Sequence, residues 1–269
     1  MDCKIGLMRV AIIGVGKMGS ALALGIARGK GANLVLCDHS HANAAALARK
    51  IGVRAAKTAK EAAESADAVI IAVKPADAGK LLEEIRGRLG ETLLISLVAG
   101  LPLSYFRKRV PKSCRVALIM PNLAVQVGKG ATMYFAQSGL DAKEIEALLA
   151  PTGIFIRAKK ESEMDTAFLH SSGIAFFLAA IEGMAEAGKR NSIPYSQALS
   201  LSAKAAEGAA ALVLEKRIRP LELEAMVSTK RGITMHGLRV LRKAKTKHHF
   251  HRAAHAVIKE AKKRRRKNR

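Results

Sequence analysis

Six residues constrain this chain more than anything else in it. Gly14-Val15-Gly16-Lys17-Met18-Gly19 follows directly on the β-rich run Arg9–Ile13 and opens an Ala/Leu-rich helical stretch reaching about Lys30. Each glycine at that spacing answers a physical need. Gly14 permits a tight turn, Gly16 lets the backbone approach a pyrophosphate, and Gly19 lets the helix pack closely on the strand. The start of the helix then offers unpaired N–H donors and positive potential to an anion. The segment therefore predicts a strand–loop–helix unit that binds a dinucleotide, with Val15, Lys17 and Met18 completing the loop.

Strand-like and helix-like patterns go on alternating to about residue 158. Asn33–Cys37, Ala68–Val73, Leu93–Val98, Val116–Ile119, Ala131–Ala136 and Gly153–Ala158 read as strands. Continuous apolar runs such as Ala68–Val73 suit strands covered on both faces. His41–Ile51 reads as a helix, and Thr58 as an N-cap with Glu61 as its capping-box partner. This order predicts an α/β fold, with a Rossmann-type, mostly parallel sheet over residues 1–160 and helices on both faces.

From about Glu161 the pattern is helical throughout. Residues 165–190 form a long Ala-rich helix, and Pro194 starts another that runs to about Glu215. Pro220 opens a short helix to about Val227, a turn spans Ser228–Gly232, and a further helix begins near Thr234. Residues 161–258 thus form an all-helical domain, joined directly to the first near 158–162. A long apolar helix in so small a domain lacks partners within the chain. A homodimer or higher homo-oligomer is expected to cover it. The apolar stretch 167–181 is interrupted by His170, Ser171 and Ser172, and is expected to be too short and too polar to span a bilayer. His170 is expected to be a satisfied core histidine.

The chain carries 46 Lys+Arg against 22 Asp+Glu, a net charge of +24. Residues 242–269 hold 13 of those cations and a single acid, Glu260. The end, 259–269, reads as a solvated basic tail with weak attraction to polyanions. No Trp and 4% aromatic residues give little basis for stacking on nucleic-acid bases. Cys3, Cys37 and Cys114 have no metal-ligand spacing, so no metal is expected. They read as buried thiols of a reducing, cytoplasmic compartment, and no leader is apparent before the first strand.

Asp38 ends the second strand. An acid there can bind ribose hydroxyls and would argue for NADH. His39, His41 and Arg49 could offset the repulsion of a 2′-phosphate, so NADPH and NADH both stay open. Alternatively, Asp38 caps the helix beginning near Ser40. Ala72-Val73-Lys74-Pro75 falls at a strand's carboxyl end, where the crevice of such a sheet lies.

Further segments complete a pattern. Ile13–Leu22 is followed by Ala72-Val73-Lys74-Pro75, Ser96–Gly100, Met120-Pro121-Asn122 and Val127–Thr132. Ser172-Gly173, Gly183–Gly188, Gly208–Ala210 and Gly232–Leu238 follow in the helical part. The chain, to about residue 258, resembles the pyrroline-5-carboxylate reductase family. That resemblance implies a Rossmann-type cofactor domain followed by a helical dimerisation domain. It implies reduction of the cyclic imine 1-pyrroline-5-carboxylate to L-proline by NADPH or NADH, at a site between two subunits. Ala99 and Asn122 join the cofactor residues on this basis. Ser172, Gly173, Gly232 and Ile233 become substrate-side candidates, and Thr234 takes the place of a hydroxyl beside the imine nitrogen. The departures fall near the substrate. Leu123-Ala124 follows Asn122 where the family has Thr-Pro, Ile174 stands for a proline, and Lys230-Arg231 replaces a Pro-Gly pair. Two other readings stay open: a reductase of another imine or carbonyl, and a non-catalytic dinucleotide-binding protein whose basic tail binds nucleic acid. With the tail read as an appendage, a chain ending at Ala261 is expected to keep reductase activity and lose polyanion binding, measurable by turnover and salt-dependent binding assays.

Overall fold

A computed structural model describes residues 8–29, 31–140, 142–229 and 232–267. Cys3 and Lys230-Arg231 lie outside the described residues. Contacts divide the chain into two units, Met1–Ser171 with Ile258–Arg269, and Ser172–Val257.

The first unit is built on one eight-stranded sheet of order β3-β2-β1-β4-β5-β6-β7-β8. The strands are β1 (Met8–Ile13), β2 (Ala32–Cys37), β3 (Arg54–Ala55), β4 (Ala68–Ile71), β5 (Leu93–Ser96), β6 (Arg115–Pro121), β7 (Gly130–Ala136) and β8 (Gly153–Arg157). All neighbours are parallel except β6 and β7. A strand buried on both faces must be apolar at every position, and β4 is: all of Ala68–Ile71 is buried. Alternate residues serve opposite layers. Val10, Ile12, Ile70 and Ile95 pack with Leu22 and Ile26 of α1 (Lys17–Ala27). Ala11, Ile13, Ile71 and Leu94 pack with Leu82 and Ile85 of α4 (Pro75–Ile85) and Phe106 of α5 (Leu103–Arg107). The chain runs outward from β1 to β3 and then returns to place β4 on β1's other side. Such a reversal opens a crevice at the carboxyl ends of the two strands.

Several details depart from the sequence pattern. β3 is two residues long, too short to leave a periodic trace. α2 (His41–Ile51) matches its expected span, whereas α3 covers only Ala59–Ala63. Thr58 caps α3, its hydroxyl accepting from Glu61 N–H at 3.1 Å, while Glu61 returns a bond to Lys57 N–H at 2.8 Å, one residue before the cap. α5 and α6 (Ala142–Leu149) are additional short helices. The pair Arg115–Glu144 ties α6 to the edge of β6.

The second unit is helical. α7 (Met164–Arg190) begins in the first unit and continues through the second, followed by α8 (Tyr195–Lys216), α9 (Pro220–Met226), α10 (Ile233–Lys243) and α11 (Thr246–Lys267). The α10–α11 break turns on Lys245, whose φ is +52°. Gly188 lets α7 approach α8 at Ala198, and Tyr195 donates to Glu182 at 2.9 Å across the same pair. Phe177, Leu201, Leu214, Met226 and Val240 are all exposed. His170 is exposed too, so it is not a core histidine within the chain. The stretch 167–181, expected to be too short and too polar for a bilayer, lies inside a longer helix. The helix over Glu161–Arg190 is long and apolar enough to cross one by length and composition. The Ala- and Met-containing turns beyond Ser172 extend its apolar character past 181.

Burial in the first unit also shifts proton equilibria. It pushes the Cys37 and Cys114 thiols up to about 11 from 9.0. Burial, with the 2.6 Å hydrogen bond to Glu146, pushes Tyr134 up to about 12 from 10.0. Each group is held protonated by the fold, so its contribution is complete below the ordinary pKa and is lost as pH rises through the shifted one. Denaturant midpoints should therefore fall between about pH 9 and 12, and Tyr134→Phe should flatten the portion above about pH 10.

Candidate active site

The crevice at the carboxyl ends of β1, β2 and β4 is a cleft of about 690 Å³, within the range of cofactor sites. Its glycine loop has the geometry the motif demands. Gly14 sits at φ +99°, and a Cβ there would stand 2.7 Å from the Ala72 carbonyl oxygen. A Cβ at Gly19 would overlap the Gly14 carbonyl oxygen. Gly16 caps α1 and differs from both, because a Cβ on it meets nothing within 4 Å. Open space thus lies in front of the first N–H groups of α1, where a pyrophosphate needs it, and the loop fits a dinucleotide. Ser20 fastens the loop from within, donating to the Val15 carbonyl at 2.6 Å.

Asp38 lines the same cleft. One carboxylate oxygen accepts Val15 N–H at 2.8 Å; the other accepts Ser40 N–H at 3.0 Å and lies 2.8 Å from His39 Nδ1. Its side chain is only 9% exposed. The carboxylate therefore braces the glycine loop against the start of α2, and much of its capacity to accept ribose hydroxyls is spent within the chain. His39 stands at the rim with its side chain 94% exposed.

Ala72, Val73 and Lys74 line the cleft from the end of β4, with Lys74 capping α4 and Pro75 preset at its first position. Lys57, Thr58 and Lys80 line it too. Sequence reading missed these three as cleft residues, because Lys57 and Thr58 come just before α3 and Lys80 comes from α4, and none shares a motif with the loop. Lys17 and Met18 begin α1 beside the loop. Ala99 follows β5 and Asn122 follows β6, further along the same sheet edge. Asn122 is partly committed: its carboxamide oxygen accepts from Ala124 N–H at 3.2 Å and Ala131 N–H at 3.4 Å.

In the second unit, Gly232 caps α10, and its N–H donates to the Thr229 carbonyl at 2.9 Å. That amide serves the turn. The first helical bond runs from Met235 N–H to the Gly232 carbonyl, which leaves the Ile233 and Thr234 amides at the head of the helix. Both side chains are exposed, Ile233 at 92%. Ser172 and Gly173 lie in α7, one residue past Ser171, whose hydroxyl donates to the Pro121 carbonyl at 2.8 Å.

Comparison with known proteins extends over both units. Residues 161–264 match the family model "Pyrroline-5-carboxylate reductase dimerisation", and residues 9–100 match "NADP oxidoreductase coenzyme F420-dependent". Pyrroline-5-carboxylate reductase of Aquifex aeolicus is 30% identical over 244 residues, covering 90% of this chain and 91% of its own. The Corynebacterium melassecola protein of that name is 31% identical, covering 92% and 95%. This chain belongs to the pyrroline-5-carboxylate reductase family. A crystal structure of Plasmodium falciparum pyrroline carboxylate reductase with NADP bound superposes with a TM-score of 0.85 at 26% identity, covering 97% of this chain and all of that one. The sheet domain and the helical dimerisation domain are thus those of a pyrroline-5-carboxylate reductase, and the match of residues 161–264 supports a homo-oligomer.

The commitment of Asp38 to the loop has a measurable consequence in this reductase. Asp38→Ala releases the Val15 and Ser40 amides together, and hydrogen bonds to a charged acceptor contribute about 1.5–3 kcal/mol each. NADPH and NADH affinities, measured by fluorescence titration, should both weaken about tenfold or more. A loss confined to NADH would instead mark a carboxylate that binds the ribose diol.

Proposed function

We propose that this protein reduces 1-pyrroline-5-carboxylate to L-proline, the last step of proline biosynthesis, using NADPH or NADH in the cytoplasm. The observation that carries this reading is the end-to-end match: relatives of that name align over both the glycine-loop domain and the helical domain. Gly14–Gly19, with Ala72–Pro75, Asp38, His39, Ala99 and Asn122, hold the nicotinamide cofactor, which supplies the hydride when bound. The remaining roles fall to the chain's own side chains and amides.

Hydride attack on the imine carbon converts the C=N double bond to a single bond and leaves an electron pair on nitrogen that must take a proton. A hydroxyl donating to that nitrogen lowers the barrier, and Thr234 is assigned this role. The substrate carboxylate needs N–H donors. The head of α10 offers the Ile233 and Thr234 amides where the helix macrodipole favours an anion. Gly232 contributes by shaping the turn, since its own N–H is engaged. Ser172 and Gly173 complete the substrate side from α7. By domain, residues 1–160 bind the cofactor and 161–258 supply subunit contacts and substrate groups.

A second reading rests on the altered loops: Leu123-Ala124 and Ile174 replace residues expected near the substrate, so another imine or a carbonyl is the alternative substrate. A weaker association belongs to the basic end, where Lys262, Lys263, Arg264, Arg266 and Lys267 are exposed and attract polyanions.

Turnover with pyrroline-5-carboxylate against a panel of cyclic imines and 2-oxo acids tests the substrate. Proline should be the product, and a faster rate on another imine would displace the assignment. Thr234→Ala should lower kcat roughly 10²- to 10⁴-fold, the range of a lost general acid, with NADPH affinity unchanged. Light scattering should find a dimer or larger species. Any polyanion binding should weaken steeply as salt is raised.

A further inference from the structure

The strongly basic end of the chain is not uniformly solvated. Ala261 is 4% exposed, and α11 brings residues 258–267 back into the unit that contains the sheet. Arg264 pairs with Glu260 one turn away, with both side chains at least half exposed. Its neighbour Arg265 does something different. Its side chain is 11% exposed, and its terminal nitrogens reach Glu161 Oε1 at 2.6 Å, the Glu161 carbonyl at 3.1 Å and Asp165 Oδ1 at 3.2 Å. One guanidinium is thus forked between two carboxylates that stand at the start of α7.

Glu161 has a second task. The same Oε1 accepts Leu103 N–H at 3.1 Å. Leu103 is the first residue of α5, capped by Pro102, so its N–H has no partner within the helix. Leu103 closes the segment that leaves β5 and contains Ala99 and Gly100, the latter at φ +78°. A small cavity of about 30 Å³ lies against this segment, lined by Ser96, Val98, Gly100, Met120 and Arg265 among others. Among the described residues, the buried Arg265 Nε has no hydrogen-bond partner.

In an open parallel sheet a dinucleotide crosses the carboxyl ends of the strands. The glycine loop holds its pyrophosphate beside β1, and its reactive half lies toward the strands beyond β4. The segment after β5 is on that side. We propose that Arg265 is a positioning residue of the reductase: through Glu161 it holds residues 97–103 in the conformation that seats the reactive end of the cofactor. This rests on the reductase reading given above. Without Arg265, Glu161 and Asp165 become two poorly solvated like charges near each other, and their repulsion drives the Glu161 side chain outward. The Leu103 amide then loses its acceptor. Lysine in its place keeps the charge but cannot fork to both carboxylates. The last turn of α11 is accordingly part of the catalytic domain, and the chain cut at Ala261 would be impaired rather than active.

The test uses the full-length protein with Arg265→Met, Arg265→Lys, Glu161→Ala and the exposed control Arg264→Met. Two readouts are taken well below each variant's unfolding temperature: hydrogen exchange of the 97–103 amides, and kcat together with NADPH Kd. Arg265→Met should speed exchange at 97–103 at least tenfold while leaving the Gly14–Gly19 amides unchanged. It should lower kcat roughly ten- to a hundredfold, the cost of a small misplacement at the reacting centre, with Kd within about threefold. Arg265→Lys should recover part of kcat, and Arg264→Met should match the wild type. Adding Glu161→Ala to Arg265→Met should lower kcat no further, because both act through one link. Unchanged exchange at 97–103 would overturn the clamp, and faster exchange with wild-type kcat would overturn the positioning role. Should Arg265→Met fail to fold, Glu161→Ala carries the same comparison, since Asp165 remains to pair Arg265. If the wild type reduces no pyrroline-5-carboxylate while exchange still responds to Arg265, the reductase reading fails and the clamp stands.

Discussion

A methyl group at residue 19 would occupy the place of the Gly14 carbonyl, so α1 begins in direct contact with the turn that precedes it. That close approach sets the rest of the nucleotide-binding unit. It brings Leu22 and Ile26 down onto Val10, Ile12 and Ile70, and it aims the first amides of α1 into the space beside Gly16. The turn is held from three directions: Gly14 N–H on the Cys37 carbonyl, Val15 N–H on Asp38, and Ser20 on the Val15 carbonyl. Preorganised N–H groups of this kind favour an anion without a reorganisation cost at binding.

How much of this was visible beforehand depends on the range over which each interaction acts. The glycine loop, the fully apolar strands, the span of α2 and the Thr58 cap are local, and composition and spacing reveal them. The two-residue β3 leaves no period to detect, and the α10–α11 break rests on one residue at positive φ. Asp38 is the instructive site residue. Its position at the end of β2 was legible, as was a local bond toward Ser40, but the Val15 amide, far away in sequence, comes within reach only on folding. Lys57 and Lys80 carry no motif at all and reach the cleft from the segment just before α3 and from α4. The substrate-side residues were found through resemblance, because a turn such as Thr229–Gly232 has no chemistry until a ligand meets it.

The helical unit shows the reverse balance of local and non-local forces. α7, α8 and α9 follow their expected spans closely, yet a single chain leaves Phe177, Leu214, Met226 and Val240 exposed. Apolar faces on that scale are stable only when covered. The match of residues 161–264 to a dimerisation family explains them without a membrane. The same faces account for the hydropathy of α7. A helix built to pack against another subunit and a helix built to face lipid need similar compositions, so hydropathy alone does not separate them.

The placement of residues 258–267 bears on how the molecule is made. The sheet is complete by Arg157, but the unit containing it includes a segment that begins a hundred residues later. During synthesis Glu161 and Asp165 emerge long before their arginine does, and they must remain hydrated in the meantime. The nucleotide-binding unit therefore reaches its final form only once residues 258–267 have left the ribosome. A premature stop anywhere in the helical half deprives the first domain, as well as the second, of its finished structure.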